Sequence, residues 1–106
     1  MITIYKYEIP LLLSDYFELE LSTDAEILTV QIQNDKPQLW VKTSSNYSTL
    51  STDYSTLSTE TRCFKLFGTG QDLTFDAKFI KYIGTFQLEN GFVGHLFELK
   101  KELKNK

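Results

Sequence analysis

Period-two alternation of apolar and polar residues runs through most of the chain and predicts strands rather than helices. In "FELELS", Phe17, Leu19 and Leu21 alternate with Glu18, Glu20 and Ser22, the pattern of a half-buried strand with an acidic outer face. "ITIYKYEI" puts Ile2 and Ile4 on one face and Tyr5 and Tyr7 on the other. "TRCFKLFGTG" separates Phe64 and Leu66 from Cys63, Lys65 and Phe67, then breaks at the Gly68-x-Gly70 turn. "ILTVQIQNDKPQLWV" reads as a hairpin turning at Asn34-Asp35. That register sets Val30 against Leu39, Ile32 against Pro37 and Trp40 against Thr29. Trp40 is then either in a second core layer or exposed among Gln31, Gln33 and Gln38. "FIKYIGTFQLENGFVGHLFELK" reads as a second hairpin about Asn90-Gly91, a favoured type I′ pair, with Phe86 opposite His95 and Leu88 opposite Val93. Helical signal is confined to "DAKFIKYI", where Asp76 is a possible cap. The expected fold is all-β, an antiparallel sandwich or small barrel of about seven strands, with at most one short helical turn.

A length of 106 residues fits one domain spanning residues 1–106. Two stretches depart from its pattern. Residues 100–106, "KKELKNK", form a basic tail of net charge +3, which leaves −6 on the rest of a chain whose total is −3. An acidic body argues against binding duplex nucleic acid by phosphate neutralisation, and the tail reads as a solvated terminus. Residues 43–61 are Ser/Thr-rich and contain a seven-residue word written twice, "YSTLSTDYSTLSTE". An odd repeat would send Tyr47 and Tyr54 to opposite faces of one straight strand, and Ser and Thr are poor helix formers. The stretch is therefore expected to be an inserted loop or an extended hairpin in which Leu50 faces Leu57. The longest wholly apolar run is Leu11 to Leu13, so no membrane span is expected, and "MITIYKYEIP" does not read as a signal peptide.

Little in the sequence points to catalysis. His95 is the only histidine, and the register above places it among Phe86, Val93 and Phe97 as a core or rim residue rather than a general base. Cys63 is the only cysteine, which fits a reducing compartment and an ordinary buried thiol. No ligand spacing suggests a metal, and no cofactor is expected. Glu18, Glu20, Asp24 and Glu26 read as a solvated acidic strip. Gly68-x-Gly70 lacks the Lys-Ser/Thr of a phosphate loop, although the backbone amides of such a turn can contact an anion. More informative is a surplus of aromatics at positions outside the main core face: Tyr5, Tyr7, Trp40, Phe67 and Phe92. Either the central strands are covered on both faces, or one aromatic face is an interface with a partner or a second copy.

Three segments in this order, "AEILTVQIQNDKPQLWV", "FKLFGTG" and "YIGTFQLENGFVGHLFE", resemble a family of small proteins encoded mainly by tailed bacteriophages and prophages. The resemblance covers most of Ala25 to Glu98 apart from the Ser/Thr stretch, where relatives are shorter, which makes that stretch an insertion between two framework strands. The family carries no assigned activity, so no site residue transfers from it. It implies a non-enzymatic binding protein in the host cytoplasm, inhibiting a host defence factor or sequestering a nucleotide-derived signal. Its partner would be a host protein or a small nucleotide-like ligand. The alternative is a virion structural or accessory protein that assembles through aromatic and β-edge contacts. The residues expected to contact a ligand or partner are Trp40, Phe67, Gly68, Gly70, Phe92 and His95, with stacking on the aromatics and anion contacts at the glycine turn.

Overall fold

A computed structural model describes residues 2–11, 15–44, 59–74 and 80–100. Seven strands follow in chain order: β1 (Ile2–Glu8), β2 (Tyr16–Ser22), β3 (Glu26–Gln33), β4 (Lys36–Ser44), β5 (Thr59–Gly68), β6 (Ile80–Gln87) and β7 (Val93–Leu99). They form two antiparallel sheets, one ordered β1-β4-β3 and the other β2-β5-β7-β6. The expected sandwich is the observed one, and no helix occurs among the described residues. Residues 80–83 of the stretch with helical signal are strand; Asp76 lies outside the described residues, as does the body of the Ser/Thr duplication between 45 and 58.

Alternation places the core between the sheets. Phe17 and Leu21 of β2, Phe64 and Leu66 of β5, Phe86 and Leu96 face Val30, Leu39 and Val41 of the other sheet, with Ile9 closing one end. Phe17 and Phe64 are cross-strand partners whose rings stack at 5.1 Å. Tyr7 packs against this core from β1, while Ile2 and Ile4 on the opposite parity are 72% and 56% exposed.

The β3–β4 hairpin turns where expected. Asn34 and Asp35 both take positive φ, 55° and 59°, the conformation a type I′ turn requires, and Trp40 pairs with Thr29. The β6–β7 hairpin does not follow the two-residue reading. Gly91, at φ 96°, is the last residue of a three-residue loop, with the Gly91 amide donating to Leu88 O at 3.0 Å and the Leu88 amide to Phe92 O at 2.9 Å. This is a type I turn closed by a left-handed glycine bulge. The register moves by one residue, so Thr85 rather than Phe86 faces His95, and Phe86 faces Gly94. A one-residue slip exchanges the faces of the whole strand, and His95 leaves the core side on which the sequence reading had placed it.

The two sheets meet along β3 and β6, and each of these edge strands carries an irregularity there, at Leu28 and at Ile83. Bulges at edges twist the strands out of reach of further pairing. Beside them Gly84 lies so close to Val30 that a Cβ on it would stand 2.8 Å from Val30 Cγ1. The irregularities open a cleft of about 330 Å³ floored by Arg62 and Glu98. Arg62 Nε and Nη2 donate to the two Glu98 carboxylate oxygens at 2.6 and 2.9 Å, and Nη1 donates to Ala25 O at 2.8 Å. Ala25 lies in the turn that carries the chain from β2 in one sheet to β3 in the other, so Arg62 ties the crossover down. The Glu98 hydrogen bonds hold the guanidinium above its ordinary pKa.

The acidic strip is less idle than its pattern implied. Glu20 accepts from the Thr59 and Thr61 hydroxyls at 2.9 and 2.8 Å. Asp24 accepts from Ser22 and from Thr43 and Ser44. The two carboxylates thereby hold both ends of the Ser/Thr insertion, and β4 and β5 run two or three residues further into it than the strand ends near Lys42 and Arg62 predicted from sequence.

Candidate functional site

Of the aromatic surplus, Phe67 lies on the outer face of the four-stranded sheet with Phe97 and Tyr82, whereas Tyr5, Tyr7 and Trp40 belong to the other sheet. β5 is buried on both sides: Phe64 and Leu66 point into the core, while Cys63 and Phe67, of opposite parity, are 1% and 2% exposed. Phe67 meets Phe97 of β7 edge-to-face at 5.4 Å, and Phe97 meets Tyr82 of β6 in the same manner at 5.4 Å. This row of three rings crosses the sheet and ends at Tyr82, which is 56% exposed.

His95 lies beside the row. The register shift at Gly91 is what brings it there, opposite Thr85. Its Nδ1 is hydrogen-bonded to Thr85 Oγ1 at 2.9 Å and its Nε2 to Thr69 Oγ1 at 2.8 Å, and Thr85 Oγ1 is bonded in turn to Tyr82 OH at 2.6 Å. A hydroxyl can donate or accept, so either imidazole tautomer satisfies both bonds. The arrangement fixes the orientation of the ring. Among the described residues no group of three or more His, Cys, Asp or Glu side chains is placed to hold a metal ion.

The Gly68–Gln71 turn closes this end of the sheet. Gly70 has φ 91°, which explains glycine at that position. The Gln71 amide donates to Gly68 O at 3.1 Å, and the Gly68 amide donates back to Gln71 Oε1 at 2.9 Å. The anion cradle expected of the glycine pair is thus partly taken, because Gln71 already occupies the Gly68 N–H.

Two hollows flank the turn. The first, about 250 Å³, lies between the turn and the row of rings, with His95 and Leu73 in its wall. The second, about 240 Å³, lies on the other side, against Leu11, Asp15, Leu66 and Phe92. Phe67, Gly68 and Gln71 line both, so the two hollows adjoin across this turn as one grooved surface. Of the six residues singled out from sequence, Phe67 and Gly68 belong to both hollows, Gly70 and His95 to the first, and Phe92 to the second. Trp40 does not join them. It sits on the outer face of the other sheet, opposite Thr29 and Lys6, with the Lys6 ammonium 5.7 Å from its ring centroid and no partner for its Nε1 among the described residues.

Gln71, Thr69, Tyr82 and Phe97 are groove residues that the sequence reading missed. Thr69 is the middle of the glycine turn, and Tyr82 was masked by the weak helical pattern around it. Nothing in the sequence marks Gln71. Further along the same face, Tyr16 OH donates to Glu18 at 2.7 Å, and the Cys63 thiol lies 4.0 Å from the same carboxylate. Hydrogen bonding with Cys63 and Glu18 pushes the Tyr16 phenol well above its usual pKa.

A family model described as a domain of unknown function, DUF7352, matches residues 1–106. The chain belongs to the DUF7352 family. The match spans the Ser/Thr insertion as well as the strands, and therefore covers every residue of the groove. No curated protein and no solved structure matches the chain.

Proposed function

We propose that this DUF7352 protein is a non-enzymatic binding protein whose contact surface is the groove around Phe67 and Gln71. Following the resemblance to phage-encoded proteins, it acts in the infected host by occupying a host factor, a defence protein being the class favoured. The observation that carries the reading is the groove itself: two apolar hollows joined at one turn, beside a histidine with both nitrogens committed to threonines. In this reading the histidine serves as a fixed wall of the first hollow. A host protein suits the groove better than a nucleotide. No Lys or Arg lines either hollow, the Lys65 ammonium is already stacked 5.2 Å from the Phe67 ring, and the Gly68 amide is engaged by Gln71.

Affinity capture from infected-cell lysate tests the proposal. The full chain is compared with a variant carrying Tyr82→Ser and Phe92→Ser, two exposed ring positions outside the buried core, with the variant's thermal midpoint measured because Phe92 packs on core Phe86. A host protein retained by the first and released by the second supports the reading; identical captures would refute it. A second reading, assembly into the virion, draws on β1, an edge strand with Ile2 and Ile4 exposed. Mass spectrometry of purified virions decides between them, since stoichiometric copies of the chain belong only to the second.

A further inference from the structure

The two sheets have four edge strands, and three of them are guarded against further pairing. β3 and β6 carry the irregularities at Leu28 and Ile83, and β2 exposes Glu18 and Glu20 along its length. β1 differs. It ends its sheet, pairs with β4 over seven consecutive residues without a shift, and contains no proline. Its one lysine does not guard it, because the Lys6 ammonium donates to Gln33 on β3 and stands 5.7 Å from the Trp40 ring, drawn away from the open side.

One hydrogen bond shows which main-chain groups face outward. The Ile9 amide donates to Pro37 O, and alternation from that point makes Tyr7–Leu39, Tyr5–Val41 and Thr3–Thr43 the hydrogen-bonded pairs between β1 and β4. The N–H and C=O groups of Ile2, Ile4, Lys6 and Glu8 therefore point out of the sheet, and all four residues are exposed. Tyr5 shares the core-side parity of Tyr7 yet is 36% exposed, so β1 overhangs the sandwich on both faces.

We propose that β1 pairs antiparallel with β1 of a second copy, about a two-fold axis through Tyr5. In this register Ile2 exchanges main-chain bonds with Glu8 of the second copy, and Ile4 with its Lys6, so every outward residue finds a partner. Sliding the register by two residues one way leaves Glu8 unpaired; sliding it the other way sets Lys6 against its own copy. Tyr5 meets its own copy at a non-hydrogen-bonded position, where side chains approach most closely, and the overhanging ring is covered. Closure argues for a second copy as the occupant. The pairing consumes both β1 edges, and the joined sheet, β3-β4-β1-β1-β4-β3, ends on each side in the irregular β3. Assembly stops at two. The contact is independent of the groove, whose Phe67 lies on the other sheet.

Sedimentation velocity of the full chain, from about 1 μM to 1 mM, tests the pairing. A reversible monomer–dimer equilibrium is expected within that range, since a single strand pair is a small interface. Two substitutions at exposed Ile4 delete the same apolar side chain but differ in charge. Ile4→Lys faces Lys6 of the second copy, a clash that occurs twice in the dimer, whereas Ile4→Glu meets the same lysine with opposite charge. The first should dimerise at least about tenfold more weakly than the second. Tyr5→Cys should link to its own copy on mild oxidation, because Cα atoms at such a position stand about 4.5 Å apart, within disulfide range. Ile4→Cys should not link, and buried Cys63 stays out of the reaction. A chain still monomeric at about 1 mM overturns the proposal, as do equal dimer strengths for the two charged variants or a link at Ile4 in place of Tyr5. A host protein held at this edge by a monomeric chain assigns it to a foreign strand and likewise overturns the second copy.

Discussion

Replacing Arg62 by methionine probes the joint on which the two-sheet arrangement turns. Methionine keeps most of the aliphatic length but deletes three charge-assisted hydrogen bonds, two to Glu98 and one to Ala25 O. Both side chains are only 16% exposed, so the Glu98 carboxylate would be left poorly solvated on the cleft floor. Breaking a fully buried pair costs about 3–5 kcal/mol, and breaking an exposed one about 0–1 kcal/mol. The cleft admits water to one side of Glu98, which places Arg62→Met between these limits, at about 2–3 kcal/mol. At about 4–8 °C per kcal/mol for a domain of this size, the midpoint falls by roughly 10–20 °C. Urea unfolding followed by the fluorescence of Trp40, the only tryptophan, gives the free energy, and circular dichroism checks that the transition is two-state. The double variant Arg62→Met, Glu98→Leu removes the stranded charge and recovers most of the loss, because a well-packed apolar pair commonly matches a buried ion pair. A loss below about 0.5 kcal/mol for Arg62→Met, or no recovery in the double variant, would refute the reasoning.

Three further outcomes follow from the geometry. Gly84→Ala places a Cβ 2.8 Å from Val30 Cγ1 and costs about 1–3 kcal/mol by overpacking; chemical denaturation should show part of that loss returned by Val30→Ala. Gly91→Ala puts a side chain at φ 96° and costs about 1–3 kcal/mol, and proton–proton contacts in the wild-type chain should join Thr85, not Phe86, to His95 across the hairpin. Asp24 is held below the usual carboxylate pKa, first by the Ser22 hydroxyl and then by Ser44, so the folded state binds its proton less readily than the unfolded chain. Its stabilisation is present above the ordinary carboxylate pKa of about 4 and is lost as pH falls through the lower folded value. The midpoint difference between wild type and Asp24→Asn should therefore narrow on acidification below about pH 4; a constant difference would contradict the assignment.

Alternation carried most of the fold. It placed Phe17, Phe64 and Leu66 in the core and set Trp40 against Thr29, because Asn34 and Asp35 form a two-residue turn that fixes the register behind them. The same reasoning failed at Asn90-Gly91. That dipeptide serves both a two-residue turn and the end of a three-residue loop, and only the chosen hydrogen bonds distinguish them. The slip misplaced His95, which was named as a contact residue but set on the core side, whereas the shift moves it to the outer face beside Phe67. The irregularities at Leu28 and Ile83 were equally silent, because they answer to the meeting of two sheets rather than to local sequence. Gln71 was invisible for a related reason. Its role comes from a closed pair of bonds with Gly68, which no composition or periodicity announces.

The central claim, that this protein binds through the Phe67–Gln71 groove, is tested most directly by hydrogen–deuterium exchange of the full chain with and without its captured partner. Protection is predicted in residues 66–73 and 91–97, which build the two hollows. Protection confined to β1 and the outer face of β4, around Ile4 and Trp40, would contradict it.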